Sequence, residues 1–169
     1  MSANDRTGVG AGSAEWGTPP DLFARLHRRF KFDYDAFASH ENALCSMYST
    51  RDGTFGKLLH PPDEPAQISG LDGLTYDWSG LRVFMNPPYS RGLIEQCIEK
   101  AYEERERADI IVALIPASTE TQWFQRFILP HCHIDWLAKR VRYIDPVTKQ
   151  PGQSPPSGSV IAVFKAPLQ

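Results

Sequence analysis

Cysteine is scarce: Cys45, Cys97 and Cys132 are the only three in 169 residues. The count is odd and no CxxC pair occurs, which excludes a disulfide framework and a zinc ribbon. His131-Cys132-His133 is no metal centre either, because neighbours in a strand point to opposite faces and no second cluster completes four ligands. No apolar run approaches the ~20 residues that span a bilayer. The N-terminus lacks a basic start followed by an apolar core, so no signal peptide is expected there and a reducing cytoplasm is the expected compartment. There is no excess of positive charge: the net charge is −2. Any nucleic-acid contact must then come from a local patch. What is present is ordinary for a globular protein, 41% hydrophobic and 22% charged residues. A chain of this size can bury about 70% of its unfolded surface.

Residues 1–14 are rich in Gly, Ala and Ser and are expected to form a flexible tail, with a single domain over 15–169. Thr18-Pro19-Pro20-Asp21 reads as a helix start, with Thr18 as cap, and Leu22, Phe23, Leu26 and Phe30 make its apolar face. Phe32–Ala38 fits a strand whose polar end, Asp35, enters a turn. Residues 39–70 predict loops, with one short strand near Met47–Ser49. Leu81–Met85 predicts a buried strand, 91–107 a helix whose charge run Glu103–Arg107 is solvated, and Asp109–Ile115 a strand covered on both faces. A helix over 119–129 and strands at Ile134–Leu137, Val141–Ile144 and Ser159–Phe164 complete the pattern. The segment 145–158, rich in Pro, Gly and Ser, reads as a mobile connection. Such alternation implies an α/β fold with a mostly parallel sheet and helices on both faces. In such folds ligands bind outside the C-terminal ends of the strands.

The most informative stretch is Val83-Phe84-Met85-Asn86-Pro87-Pro88-Tyr89. A pattern of this kind arises by chance in about one of 200 chains of this length. Asn86-Pro87-Pro88-Tyr89 resembles the signature of amino methyltransferases that use S-adenosylmethionine. The wider chain is similar to the phage-type DNA N6-adenine methyltransferase family. Trp16-Gly17-Thr18-Pro19, Phe32–Ala38, Asp72-Gly73-Leu74, Leu114–Thr119 with Trp123-Phe124, and Arg140–Tyr143 carry the likeness over roughly residues 15–165. The resemblance implies a class I, Rossmann-like fold that methylates adenine N6 in DNA.

The motif suits that chemistry. An adenine amine is a poor nucleophile because its lone pair is delocalised into the ring. Two fixed acceptors, the Asn86 side-chain oxygen and the Pro87 carbonyl, would draw the nitrogen toward a tetrahedral shape and stabilise the charge that develops on it. Prolines stiffen the turn and remove competing N–H donors. Tyr89 offers a ring face for the base. No strong general base is needed, since the methylated ammonium sheds its proton afterwards.

The resemblance also implies a cofactor site. Asp35 would hold the methionine end, although Asp35-Ala36-Phe37-Ala38-Ser39-His40-Glu41 lacks the glycines of related turns. Asp72, fourteen residues before Asn86, would accept from the cofactor's adenine amine. Thr18 and Pro19 would flank the methionine carboxylate, and Asn86 would border the same pocket. Each has a plain alternative: a turn aspartate for Asp35 and Asp72, a helix cap for Thr18, and simple packing for Trp16. Lys139–Tyr143 is the one concentrated basic and aromatic stretch. Arg140 and Arg142 would meet DNA phosphates, with Tyr143 near an extruded base, or the stretch is a strand edge that discourages aggregation. Rival readings are methylation of cytosine N4, RNA adenine or a glutamine amide, and a non-catalytic DNA-binding protein on the same fold. No metal is expected.

Overall fold

The computed structural model describes residues 16–39, 41–50, 55–56, 72–90, 92–145, 147–152 and 155–164. The expected tail and most of the 39–70 loop region lie outside these residues. The architecture is α/β. Helix α1 spans Pro20–Phe30, β1 Tyr34–Ala38, β2 Met47–Thr50, β3 Phe55–Gly56, β4 Arg82–Met85, α2 Leu93–Glu104, β5 Ile110–Pro116, β6 Cys132–Trp136 and β7 Ser159–Phe164. A π-helical turn, Phe124–Ile128, follows β5. No described helix is long and apolar enough to cross a membrane.

The seven strands form one sheet in the order β3-β2-β1-β4-β5-β7-β6. The pairs β1·β2, β1·β4 and β4·β5 are parallel, while β2·β3, β5·β7 and β6·β7 are antiparallel. The sheet is therefore mixed, where a mostly parallel one was expected. The causes are β3, which runs against β2 at one edge, and β7, which inserts between β5 and β6 and runs against both. β7 is the strand that misleads. It is buried along its whole length, so its continuous apolar run looks like that of a central parallel strand. Periodicity alone cannot tell the two apart.

Helices do cover both faces. Side chains of β4 alternate, with Val83 and Met85 packing on α2 and the π-helical turn, and Phe84 packing on α1. On the α1 face, Phe23 meets Phe84 edge-on with ring centroids 5.1 Å apart. Truncating a fully buried phenylalanine such as Phe84 typically costs ~3–5 kcal/mol.

Three local details depart from expectation. Thr18 does not cap α1. Pro20 forces Pro19 into extended backbone, φ −56° and ψ 131°, so Pro19 becomes the N-cap residue and Thr18 falls one position too early. The opposite end is held by Lys31 in the left-handed region, φ 55°, and by Arg82 Nε, which donates to the Phe30 carbonyl at 2.6 Å. Next, Glu104 is not part of a solvated face. It is 1% exposed, accepts from Lys100 and from Arg107 (2.7 Å), and takes the Trp78 N–H at 3.4 Å. Finally, among the described residues Val141–Ile144 joins no sheet, and of these four Ile144 alone pairs, through isolated bridges to Gly17 and Pro151.

Candidate active site at the end of the fourth strand

Asn86 is the first residue beyond β4, at the C-terminal edge shared by β1, β4 and β5. Pro87 is buried and Pro88 half-buried. Neither proline has an N–H, and among the described residues no donor reaches the Pro87 carbonyl. The Asn86 amide is held at both ends. Its Nδ2 donates to the Trp16 carbonyl at 2.9 Å, and its Oδ1 accepts from the Tyr89 hydroxyl at 3.1 Å.

Tyr89 is two-sided. Its residue surface is 39% exposed, while its hydroxyl points inward to the Leu114 carbonyl (3.3 Å) and to within 2.7 Å of the Tyr143 hydroxyl. The two rings meet edge-on at 5.8 Å. Beyond them the Tyr143 hydroxyl lies 3.0 Å from Ser159 Oγ, which is buried at the start of β7. Desolvation pushes both phenols above the usual tyrosine range. They therefore act as neutral hydroxyls and not as bases at physiological pH.

The Trp16 carbonyl is placed by its neighbour. Gly17 exchanges two backbone bonds with Ile144, at 2.9 and 2.8 Å. The Trp16 ring lies on Gly152 so closely that a Cβ there would come within 2.1 Å of it. The Trp16 ring thus packs on Gly152 and leaves 38% of the residue's surface open.

The expected cofactor residues surround this turn unequally. Asp35 does not end its strand; it is the second residue of β1, 3% exposed, beside Phe84 of β4. Its Oδ2 accepts the Leu44 N–H at 3.2 Å, which ties the 41–46 loop to the sheet. Burial raises its carboxyl from 3.8 to about 7, against the backbone N–H groups of Leu44 and Phe37 that favour the anion. Between Asp35 and Ala38 the register against β2 slips. Asp72 opens a tight turn, its Oδ1 accepting the N–H groups of Leu74 (2.8 Å) and Thr75 (3.1 Å). That turn sits directly on β1, since a Cβ on Gly73 would lie 1.9 Å from the Ala36 carbonyl. No bond to Asp72 Oδ2 occurs among the described residues. Thr18 is buried just after the Trp16–Gly17 strap, and Pro19 leads into α1.

In the basic stretch Lys139, Arg140 and Arg142 are exposed, while Val141 and Tyr143 are buried. Tyr143 is only 4% exposed, so it offers no stacking surface to an extruded base. What it presents to the site is its hydroxyl. Sequence reasoning missed Ser159, Leu114 and the carbonyl of Trp16. Ser159 had a faint signal, a lone polar residue heading an apolar strand; the other two act through backbone atoms, which any residue would supply.

The turn thus combines an amide held at both ends, a Pro87 carbonyl that no described donor reaches, and a partly exposed tyrosine at the C-terminal edge of the sheet. A family model described as DNA N-6-adenine-methyltransferase (Dam) matches residues 69–169, from the Asp72 turn through β7. The DNA N-6-adenine-methyltransferase of Escherichia phage T1 is 30% identical over 128 residues, covering 72% of this chain and 44% of that protein. The chain belongs to the DNA N-6-adenine-methyltransferase (Dam) family. It spans less than half the length of the curated relative it matches.

Proposed function

We propose that the protein transfers a methyl group from S-adenosylmethionine to the exocyclic N6 of adenine in DNA, on a class I, Rossmann-like fold. The four parallel strands in the order β2-β1-β4-β5 support that fold, since the same run stands at the centre of a doubly wound sheet. The observation that carries the reaction is the grip on Asn86. With Nδ2 on an acceptor-only carbonyl, the amide oxygen faces Tyr89 and keeps one lone pair for a target N–H. The Pro87 carbonyl takes the second N–H. Both acceptors are fixed before the reaction, so they stabilise the ammonium as it forms without reorganising. The exposed part of Tyr89 stacks the base, which must leave the helix to reach this edge.

The residues present fit the cofactor. Asp72 Oδ2 is a spare acceptor for an adenine amine, and Thr18-Pro19 line the same edge. Asp35, with its carboxylate bonded to Leu44, shapes the pocket by fixing the 41–46 loop. When bound, the cofactor supplies the electrophilic methyl. Arg140 and Arg142 are exposed for phosphate contact. The test is incubation with labelled S-adenosylmethionine and unmethylated DNA, followed by nucleoside analysis. N6-methyladenine is the expected product. N4-methylcytosine, or no labelled nucleoside, would reject the assignment.

A further inference from the structure

Both grips on the Asn86 amide lead back to one short segment. From Oδ1 the path runs through Tyr89 to Tyr143, and from there to Ser159, in steps of 3.1, 2.7 and 3.0 Å. From Nδ2 it runs to the Trp16 carbonyl at 2.9 Å, and Gly17 is then tied to Ile144 by two reciprocal backbone bonds. Tyr143 and Ile144 are consecutive. Arg142, immediately before them, is exposed while Tyr143 is buried.

Resting on the reading that Asn86 accepts from the target amine, we infer that residues 142–144 form a positioning element for Asn86, able to pass DNA backbone contact at Arg142 to the reacting acceptor. Tyr143, Ser159 and Trp16 are positioning residues; none touches the base. The two ends of the amide are held for different reasons. The Trp16 carbonyl can only accept, so it selects Nδ2 and sets which way the amide faces. A flipped amide would press two acceptors together there and turn its NH₂ toward Tyr89. The hydroxyl chain sets the angle. When Ser159 donates to Tyr143, and Tyr143 to Tyr89, the only proton left on Tyr89 is free for Asn86 Oδ1. Without the bond from Tyr143, the Tyr89 hydroxyl loses the anchor that fixes its position, and its proton is shared more freely with the Leu114 carbonyl, 3.3 Å away.

Two substitutions separate the arms. Tyr143→Phe removes one hydroxyl and keeps the buried ring. Gly152→Ala drives a Cβ into the far edge of the Trp16 ring, with atoms at 2.1 and 2.6 Å, so the ring must shift and load the residue whose carbonyl holds Nδ2. The first readout is the Asn86 side-chain NH₂ signal in a nitrogen-15 NMR spectrum, identified by its loss in Asn86→Asp. In the wild type the two protons should be well separated, because one is bonded to the Trp16 carbonyl. In Tyr143→Phe, which should fold normally, the pair should shift yet stay well separated, because the bond to the Trp16 carbonyl remains; in Gly152→Ala the two protons should move together toward the positions of a free amide. The second readout is single-turnover methyl transfer. Tyr143→Phe should slow it about ten- to a hundredfold through misplacement of the acceptor, leave cofactor affinity unchanged, and add nothing further in an Asn86→Ala background. Unchanged NMR signals in Tyr143→Phe, or slowing that multiplies with that of Asn86→Ala, would overturn the inference. A wild-type protein that methylates no DNA would reject the proposed function instead, and the NMR arm would still decide the role of 142–144.

Discussion

Replacing Asp35 by asparagine should change how stability depends on pH, and the size follows from burial. Asp35 is 3% exposed, and its carboxyl titrates near about 7 in the folded chain against 3.8 when unperturbed. At low pH both folded and unfolded chains hold the proton, and the group contributes nothing. As pH rises between these values, the unfolded chain sheds a proton that the folded chain retains, so stability falls. Above about 7 both forms are ionised and the penalty levels off at roughly 4 kcal/mol. Between about pH 5 and pH 8 the wild type should therefore lose ~2–3 kcal/mol through this group alone. The side-chain amide in Asp35→Asn cannot ionise. Apart from the ionisation it removes, the substitution should carry a pH-independent cost of about 1 kcal/mol, because the new NH₂ faces one of the backbone N–H groups that bond to the carboxylate. Urea unfolding of both proteins across this range removes every other titration from the difference. The gap should move in favour of Asp35→Asn by ~2–3 kcal/mol from about pH 5 to pH 8. A gap that stays constant, or moves the other way, would show that Asp35 is ionised and solvated in the folded protein.

Gly73→Ala would put a Cβ 1.9 Å from the Ala36 carbonyl. The turn must lift from β1, so denaturation should show a loss of ~1–3 kcal/mol, with weaker S-adenosylmethionine binding as Asp72 moves. Arg140→Ala with Arg142→Ala should weaken duplex DNA binding at low salt and flatten the dependence of log affinity on log salt by nearly two units, about 0.9 for each phosphate contact. A salt titration that keeps the wild-type slope would make the stretch a structural edge.

Strands buried on both faces are the most legible elements. Ser159–Phe164 forms over the expected residues, and Leu81–Met85 differs from β4 by one residue at its start. Apolar runs bounded by prolines or polar turns leave little choice of register. β6 starts two residues before the expected Ile134–Leu137, at Cys132–Trp136. It is an edge strand, and polar His133 and Asp135 interrupt its pattern. The helix expected over 119–129 forms over 122–128 and is π-helical from Phe124 to Ile128, whose Phe124, Phe127 and Ile128 reach the core. Val141–Ile144, expected as a strand, has no strand partner among the described residues, which no local pattern reveals.

The same division holds at the site. Asn86–Tyr89 is legible in the sequence because the chemistry resides in side-chain type and spacing. The contacts that hold Asn86 come from Trp16 and Ser159, 70 and 73 residues away along the chain. One acts through a backbone carbonyl and the other through two intervening hydroxyls. Asp35 is recognisable as a polar residue of the first strand, but its place inside the strand depends on how far β1 continues past it. That is set by pairing with β2 and β4.

The central claim is that Asn86 acts on the reacting amine and not on cofactor binding. Single-turnover methyl transfer to unmethylated DNA, measured beside calorimetric S-adenosylmethionine binding in wild type and Asn86→Ala, tests it most directly. Losing one fixed acceptor should slow transfer by on the order of 10²–10³, while cofactor affinity stays within a fewfold. Near-normal transfer in a folded Asn86→Ala protein, or a matching collapse of cofactor affinity, would contradict the account.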